Sequence, residues 1–312
     1  MYTSIIIALI FVFLLSLIGT GIVNIIFRFL GKRGYLGNLF PNARGGIPRA
    51  VGIVPFVILA FYFLPGYNSL ILIIGVFALI DDILGRKKSP FGVEWGQLSR
   101  GIGMILVVVA GYLMGLGVSS LFIALLVQPL NISDMQPGSA CIVTMIMMVL
   151  FASPDVAELP AFYTPVLLLI VVLGYCPLDF SGKIMLGEVG NHVFAIALGV
   201  SFYMVGGLWS LIFLFIVTTA LIAFVRRNTL KVFFRQNLRL LDPTFGDYFM
   251  DVLTGGGLGD LLRKWILKDK QYDVTNPLLI SLGFRRLLYN PHADHPQRYV
   301  PKNQKVRLGR QL

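Results

Sequence analysis

Four acids, Asp81, Asp82, Asp134 and Glu188, sit in short polar connections between long apolar runs, and Arg44, Arg49, Arg86, Lys87, Lys88 and Lys183 alternate with them. Carboxylates of this kind can hold a hard divalent cation such as magnesium, while lysines and arginines beside them can hold phosphate. The combination suits phosphoryl transfer, where the protein chiefly positions groups and neutralises charge. An acid at the mouth of an apolar helical bundle is costly unless it is paired, metal-bound or hydrated, so each one marks a candidate site.

The connection richest in such residues is "PLDFSGKIMLGEVGNHVFAIALG", residues 177–199. Its Gly182, Gly187 and Gly190 allow the backbone to approach a ligand closely. A glycine-rich turn that enters a helix at His192 also offers free N–H groups to a phosphate. Asp81 and Asp82 close an apolar segment, where the negative end of the helix dipole disfavours them and a cation would suit them. Plainer readings stand beside these. The aspartate pair could be solvated charge, and Lys183 a positive anchor at the membrane edge. The stretch 128–140, punctuated by Pro129, Pro137 and Gly138, could be only a turn, and Asp134 alone does not overturn that.

The elements that must position these residues are apolar helices. The 312-residue chain is 56% hydrophobic and 13% charged, with a mean hydropathy of +0.81, and a soluble domain carries roughly twice that share of charge. No ten-residue alternating segments of a membrane barrel appear. The apolar run Ser4–Phe29 lacks a basic leader and is too long for a signal peptide, so it reads as an anchor. Cys141 and Cys176 fall in or beside apolar runs and read as packing residues rather than a disulfide or metal framework.

The expected architecture is all-α: a polytopic membrane protein of about nine spans near 5–27, 50–65, 68–80, 101–117, 118–130, 139–153, 160–176, 192–205 and 207–225. With that count all 26 lysines and arginines fall on one side. The positive-inside rule makes that side cytoplasmic, with the N-terminus outside and the C-terminus inside. The net charge of +11 then reflects topology and not nucleic-acid binding. Four polar connections, 31–52, 81–100, 128–140 and 177–199, share the cytoplasmic face. The sequon-like Asn131-Ile-Ser133 is on that face too, away from glycosylation.

Together the four connections resemble those of the polyprenyl-phosphate N-acetylhexosamine-1-phosphate transferases, glycosyltransferase family 4, which includes the phospho-N-acetylmuramoyl-pentapeptide transferases. "NARGGIPRAVG" is similar to the family's segment after the first membrane helix, and "ALIDDILG" to its Asp-Asp motif. "QPLNISDMQPGSA" and "DFSGKIMLGEVGNHVFAIALG" are similar to its third and fourth motifs, in order and spacing. The resemblance covers about residues 1–225. It implies transfer of a sugar-1-phosphate from a UDP-N-acetylhexosamine to a polyprenyl phosphate at the cytoplasmic membrane of a bacterium or archaeon, with magnesium as cofactor and UMP released. It implies catalytic roles for Asp81, Asp82 and Asp134, and metal binding by Glu188 and Asp82. Substrate contacts fall to Asn42, Arg44, Asn131, Gly138, Lys183, Gly187 and Gly190. The chain departs from the pattern at Glu188, where the family has aspartate, at Gln128, where it has asparagine, and at Ser139, where it has arginine. A homologue that binds polyprenyl phosphate or docks a partner without turnover is the alternative these departures leave open.

From Arg226 the composition changes: residues 226–312 carry 16 of the basic residues. They are expected to form a cytoplasmic tail that docks on a lipid surface, a partner enzyme or a second copy. Residues 226–241 read as an amphipathic interfacial helix or an ordinary solvated one. "TGGGLGD", residues 254–260, reads as a flexible turn, and His292 and His295 as a surface pair. A transporter would need charge in mid-span and an internal repeat, and the spans show no charge at their centres.

Overall fold

The computed structural model describes residues 2–41, 45–85, 87–88, 94–151, 159–238, 240–255, 257–268 and 270–290. Among them the secondary structure is helical, apart from an isolated antiparallel bridge between Lys88 and Glu94. The chain divides into two compact units, Met1–Thr218 and Thr219–Leu312.

In the first unit α1 spans Tyr2–Lys32, α2 Ile53–Tyr62, α3 Asn68–Leu84 and α4 Trp95–Gly111. A π-helical turn, Tyr112–Leu116, follows α4 and contains a left-handed Gly115. Then come α5 (Ser119–Leu125), α6 (Val127–Ser133), α7 (Ser139–Phe151), α8 (Leu159–Phe180) and the start of α9 (Gly187–Phe233), whose residues from Thr219 on belong to the second unit. Among the described residues four stretches are long and apolar enough to cross a membrane: Ile5–Lys32, Trp95–Leu116, Phe162–Phe180 and Gly187–Leu238. Ile53–Tyr62, Ser119–Ser133 and Ser139–Leu150 are shorter apolar helices. Of the spans expected from the sequence, 118–130 is divided between α5 and α6, α2 covers only 53–62 of 50–65, and the end of 139–153 lies outside the described residues. The last two expected spans meet at Gly206 and Gly207, whose backbone leaves the helical region inside α9.

Small residues let these apolar helices approach closely, as bilayer packing requires. Ser16 of α1 donates its hydroxyl to the Val171 carbonyl of α8 at 2.7 Å. Gly75 of α3 lies under the Phe56 ring of α2, and Gly103 of α4 under Phe77 of α3, with no room for a methyl group at either.

Two polar connections are more helical than the sequence suggested. In 128–140 the chain stays helical to Ser133, because Pro129 falls in the first turn of α6, where its missing N–H costs no helix bond. Only residues 134–138 turn. In 81–100, α3 runs on to Leu84 and α4 begins at Trp95.

The second unit holds α10 (Phe245–Thr254), α11 (Gly257–Leu267), α12 (Pro277–Ser281) and α13 (Phe284–Leu287). Residues 226–233 continue α9, and Phe234–Leu238 forms a π-helical turn, so 226–241 is not a separate helix. Phe234, Leu238 and Leu240 pack with Tyr248 and Tyr289 as a small core. Of the 254–260 run, expected to be a flexible turn, Thr254 ends α10 and residues 257–260 already belong to α11. Gly259 passes so close to the Thr254 carbonyl that a side chain would collide with it. His292 and His295 lie outside the described residues.

Candidate active site

Backbone pairing near residue 50 brings the first and fourth connections together. Met185 N–H donates to the Pro48 carbonyl at 2.9 Å, and Val51 and Gly52 N–H donate to the Met185 and Leu186 carbonyls at 3.2 and 3.1 Å. Arg49, between them, has its own N–H tied to the Leu39 carbonyl at 2.8 Å. Its side chain is thereby carried to the end of α3 and the start of α9.

There a compact ionic cluster forms. Arg49 Nε stands 3.0 Å from Asp82 Oδ1, and its terminal nitrogen 3.2 Å from Glu188 Oε1. Arg100, from the second turn of α4, reaches Asp81 Oδ2 at 3.7 Å and Glu188 Oε2 at 3.8 Å. His192, one turn along α9 and fully buried, places Nε2 3.3 Å from Glu188 Oε2. Asn131 of α6 completes the group. With its amide nitrogen turned toward the carboxylate it donates to Glu188 Oε2 at 2.9 Å, and its oxygen accepts from Arg100. Three carboxylates thus face two guanidiniums. Burial works against charge on Arg49, but Asp82, Glu188 and Asp81 outweigh it and raise its pKa, so this guanidinium stays protonated.

Asp82 also closes the start of α9. Its Oδ1 accepts from the Glu188 N–H at 3.1 Å and its Oδ2 from the Val189 N–H at 2.9 Å. A carboxylate there satisfies orphan donors and meets the positive end of the helix dipole. This resolves the cost of ending α3 with two acids. It also corrects one expectation: the N–H groups of Glu188 and Val189 are already occupied by Asp82 and not free for a phosphate.

The glycines serve the same close approach. Gly187 has φ +74°, and a side chain on it would lie 2.7 Å from the Ala50 backbone and 2.8 Å from Asp82 Oδ2. Gly190 packs on the backbone of Gly52, so its closeness is used by the protein chain and not left for a ligand. Gly96 leaves the room that Asp81 Oδ1 occupies beside α4.

The remaining expected residues fall around this cluster or away from it. Asp134 lines a cavity of about 240 Å³ with Ile47, Pro137, Asp179, Gly182 and Met185. Burial, then the Asp179 carboxylate, push the Asp134 carboxyl well above the usual carboxylate range. Gly138, at φ +76°, donates its N–H to Asp179 Oδ2 at 3.2 Å, an oxygen that also accepts from Cys141. Gly138 is therefore a structural turn. Lys183 has an exposed side chain, and its carbonyl takes a 2.6 Å hydrogen bond from Arg28. Asn42 and Arg44 lie outside the described residues.

The magnesium ion that the resemblance implies can be set against the donors of this cluster. Its hard oxygens are the right donor type, and Asp81 Oδ2 is buried without a hydrogen bond. Yet Asp82 already answers Arg49 and two backbone N–H groups, and Glu188 answers Arg49 and Asn131. Among the described residues no three histidine, cysteine or acidic side chains stand as a metal cage. In this arrangement the cluster fits guanidinium and not a resident magnesium ion.

The sequence named Arg49 as a base near the acids and His192 only as a helix entry, and it gave neither a carboxylate partner; Arg100 was not singled out at all. Arg100 carried a readable signal, a lone cation where an apolar segment begins, which demands an acidic partner. No model of a known protein family, no characterised protein and no solved structure matches this chain.

Proposed function

We propose that this chain is a membrane phosphotransferase that passes a sugar-1-phosphate from a UDP-N-acetylhexosamine to a polyprenyl phosphate. The observation that carries the reading is the convergence of residues 49, 81–82, 100, 131 and 188 into one ionic cluster, at the ends of α3 and α9. A nucleotide from water and the headgroup of a lipid can meet only at such a place. The reading keeps the nine-span topology, with an outer N-terminus and the cluster on the cytoplasmic face of the cell membrane.

In the reaction a lipid phosphate oxygen attacks the β-phosphorus, the bond from that phosphorus to the bridging oxygen breaks, and UMP leaves. Asp81 is the better candidate to take the lipid phosphate's proton, because one of its oxygens has no hydrogen bond while both of Asp82's are committed. Arg49 and Arg100 supply positive charge for the diphosphate, and rigid placement of such groups is where phosphoryl-transfer catalysis resides. Asp82 acts by positioning, holding α9 and Arg49 in register.

A second reading, a polyprenyl-phosphate-binding or partner-docking homologue without turnover, is favoured by one feature. The cluster neutralises most of its own charge, with Asp82 and Glu188 satisfied from within. Purified protein incubated with magnesium, labelled UDP-N-acetylhexosamine and undecaprenyl phosphate separates the two. Label in a lipid product, lost in Asp81→Asn, supports transfer. Lipid-phosphate binding without labelled product supports the second reading.

A further inference from the structure

The helix α11 has a face with no work to do inside the second unit. Leu262, Trp265 and Ile266 recur at helical spacing and are 58%, 79% and 66% exposed. Arg263 and Leu267 turn the opposite way and are buried, Arg263 tied to Asp260 and Thr254. Lys264, exposed, lies on the remaining flank next to Trp265, and Lys268, also exposed, stands just past the helix end at φ +51°. The apolar face continues inward, since Leu262 and Ile266 also line an apolar cavity of about 260 Å³ with Leu287 and Leu288.

We infer that α11 is an interfacial anchor that lays Leu262, Trp265 and Ile266 into the surface of an anionic bilayer, with Lys264 and Lys268 on the lipid phosphates. Charge complementarity selects this occupant. Residues 219–312 carry 16 lysines and arginines against 7 aspartates, a net +9. Asp247, Asp251 and Asp260 spend their charge on buried Arg285, Arg286 and Arg263. Lys264 of α11 and Lys268 just after it are left exposed. At 11 residues the helix is too short to span a bilayer, and an apolar face beside a lysine stripe is the pattern of a helix lying in the interface. Tryptophan prefers that depth, where its ring is in hydrocarbon and its N–H in the headgroups. The inference rests on the membrane-spanning character of the chain and not on its proposed chemistry.

The test uses the full chain in bilayers of phosphatidylcholine, with or without phosphatidylglycerol, some carrying brominated acyl chains that quench tryptophan. The Trp265 signal is the difference between wild type and Trp265→Phe, which leaves Trp95 and Trp209 in place. Blue-shifted emission, quenched by brominated lipid when phosphatidylglycerol is present and largely restored in Lys264→Gln/Lys268→Gln, is the expected result. Water-like Trp265 emission in anionic bilayers would overturn the inference. So would a blue shift indifferent to brominated lipid but rising with protein density, which would assign the face to a second copy of the chain.

Discussion

Asp82 and Glu188 share the Arg49 guanidinium, so removing it strands two partly or fully buried carboxylates at the junction of α3 and α9. Breaking a buried pair from one side costs about 3–5 kcal/mol. Arg49→Met is therefore expected to lower the thermal unfolding midpoint in detergent, and Arg49→Lys to recover only part of it, because an ammonium cannot bridge both carboxylates as the planar fork does. Millimolar magnesium should raise the midpoint of Arg49→Met more than that of wild type, since the freed oxygens then suit a cation. Equal shifts would refute the view that Arg49 holds the place a cation would take. Gly187→Ala meets a left-handed φ, worth about 1–2 kcal/mol, and the Ala50 backbone as well. It should reduce folded yield even though it removes no functional group. The acids were legible in the sequence because charge beside apolar runs needs a reason. The partners of Arg49 were not, because Asp82 and Glu188 lie on other segments and pairing across the chain leaves no local spacing.

The helices owe their existence to apolar runs and their ends to specific caps, and the two were not equally readable. Residues 68–80 and 160–176 announced α3 and α8 by length and hydropathy alone. The breaks did not follow so simply: Pro129 falls in the first turn of α6 and does not stop it, and Gly257 and Gly259 fall in the first turn of α11. Proline in a first turn lacks only an N–H that would be unpaired anyway, so there it does not break the helix. The second unit's α10 begins with a capping box in which Thr244 accepts from the Asp247 N–H at 3.3 Å and its own N–H donates to Asp247 at 2.9 Å. Asp247 also takes Arg285 at 2.6 Å, joining α10 to α13. Thr244→Ala should cost about 1 kcal/mol. Asp247→Asn, which also leaves buried Arg285 without its counter-charge, should cost more. Hydrogen-exchange protection across 245–254 would rank the two, and the reverse order would contradict the capping and pairing role of Asp247.

At the scale of the whole molecule, the described residues are helical, with several helices apolar enough to cross a membrane; most of the buried charge of the first unit meets in one cluster, Asp179 standing apart, and a separate arginine–aspartate network forms in the second. The membrane character was plain from composition. The charge pattern put connections 31–52, 81–100, 128–140 and 177–199 on one face, but their contacts were not legible, since no periodicity predicts that Met185 pairs with Pro48. What the cluster does is decided most directly by UMP release from UDP-N-acetylhexosamine in proteoliposomes containing undecaprenyl phosphate, with wild type beside Asp81→Asn and Glu188→Gln. A working phosphotransferase predicts UMP appearing in step with lipid-linked sugar in wild type and loss of both in each variant. Silence from wild type, or undiminished release from Asp81→Asn, would contradict it.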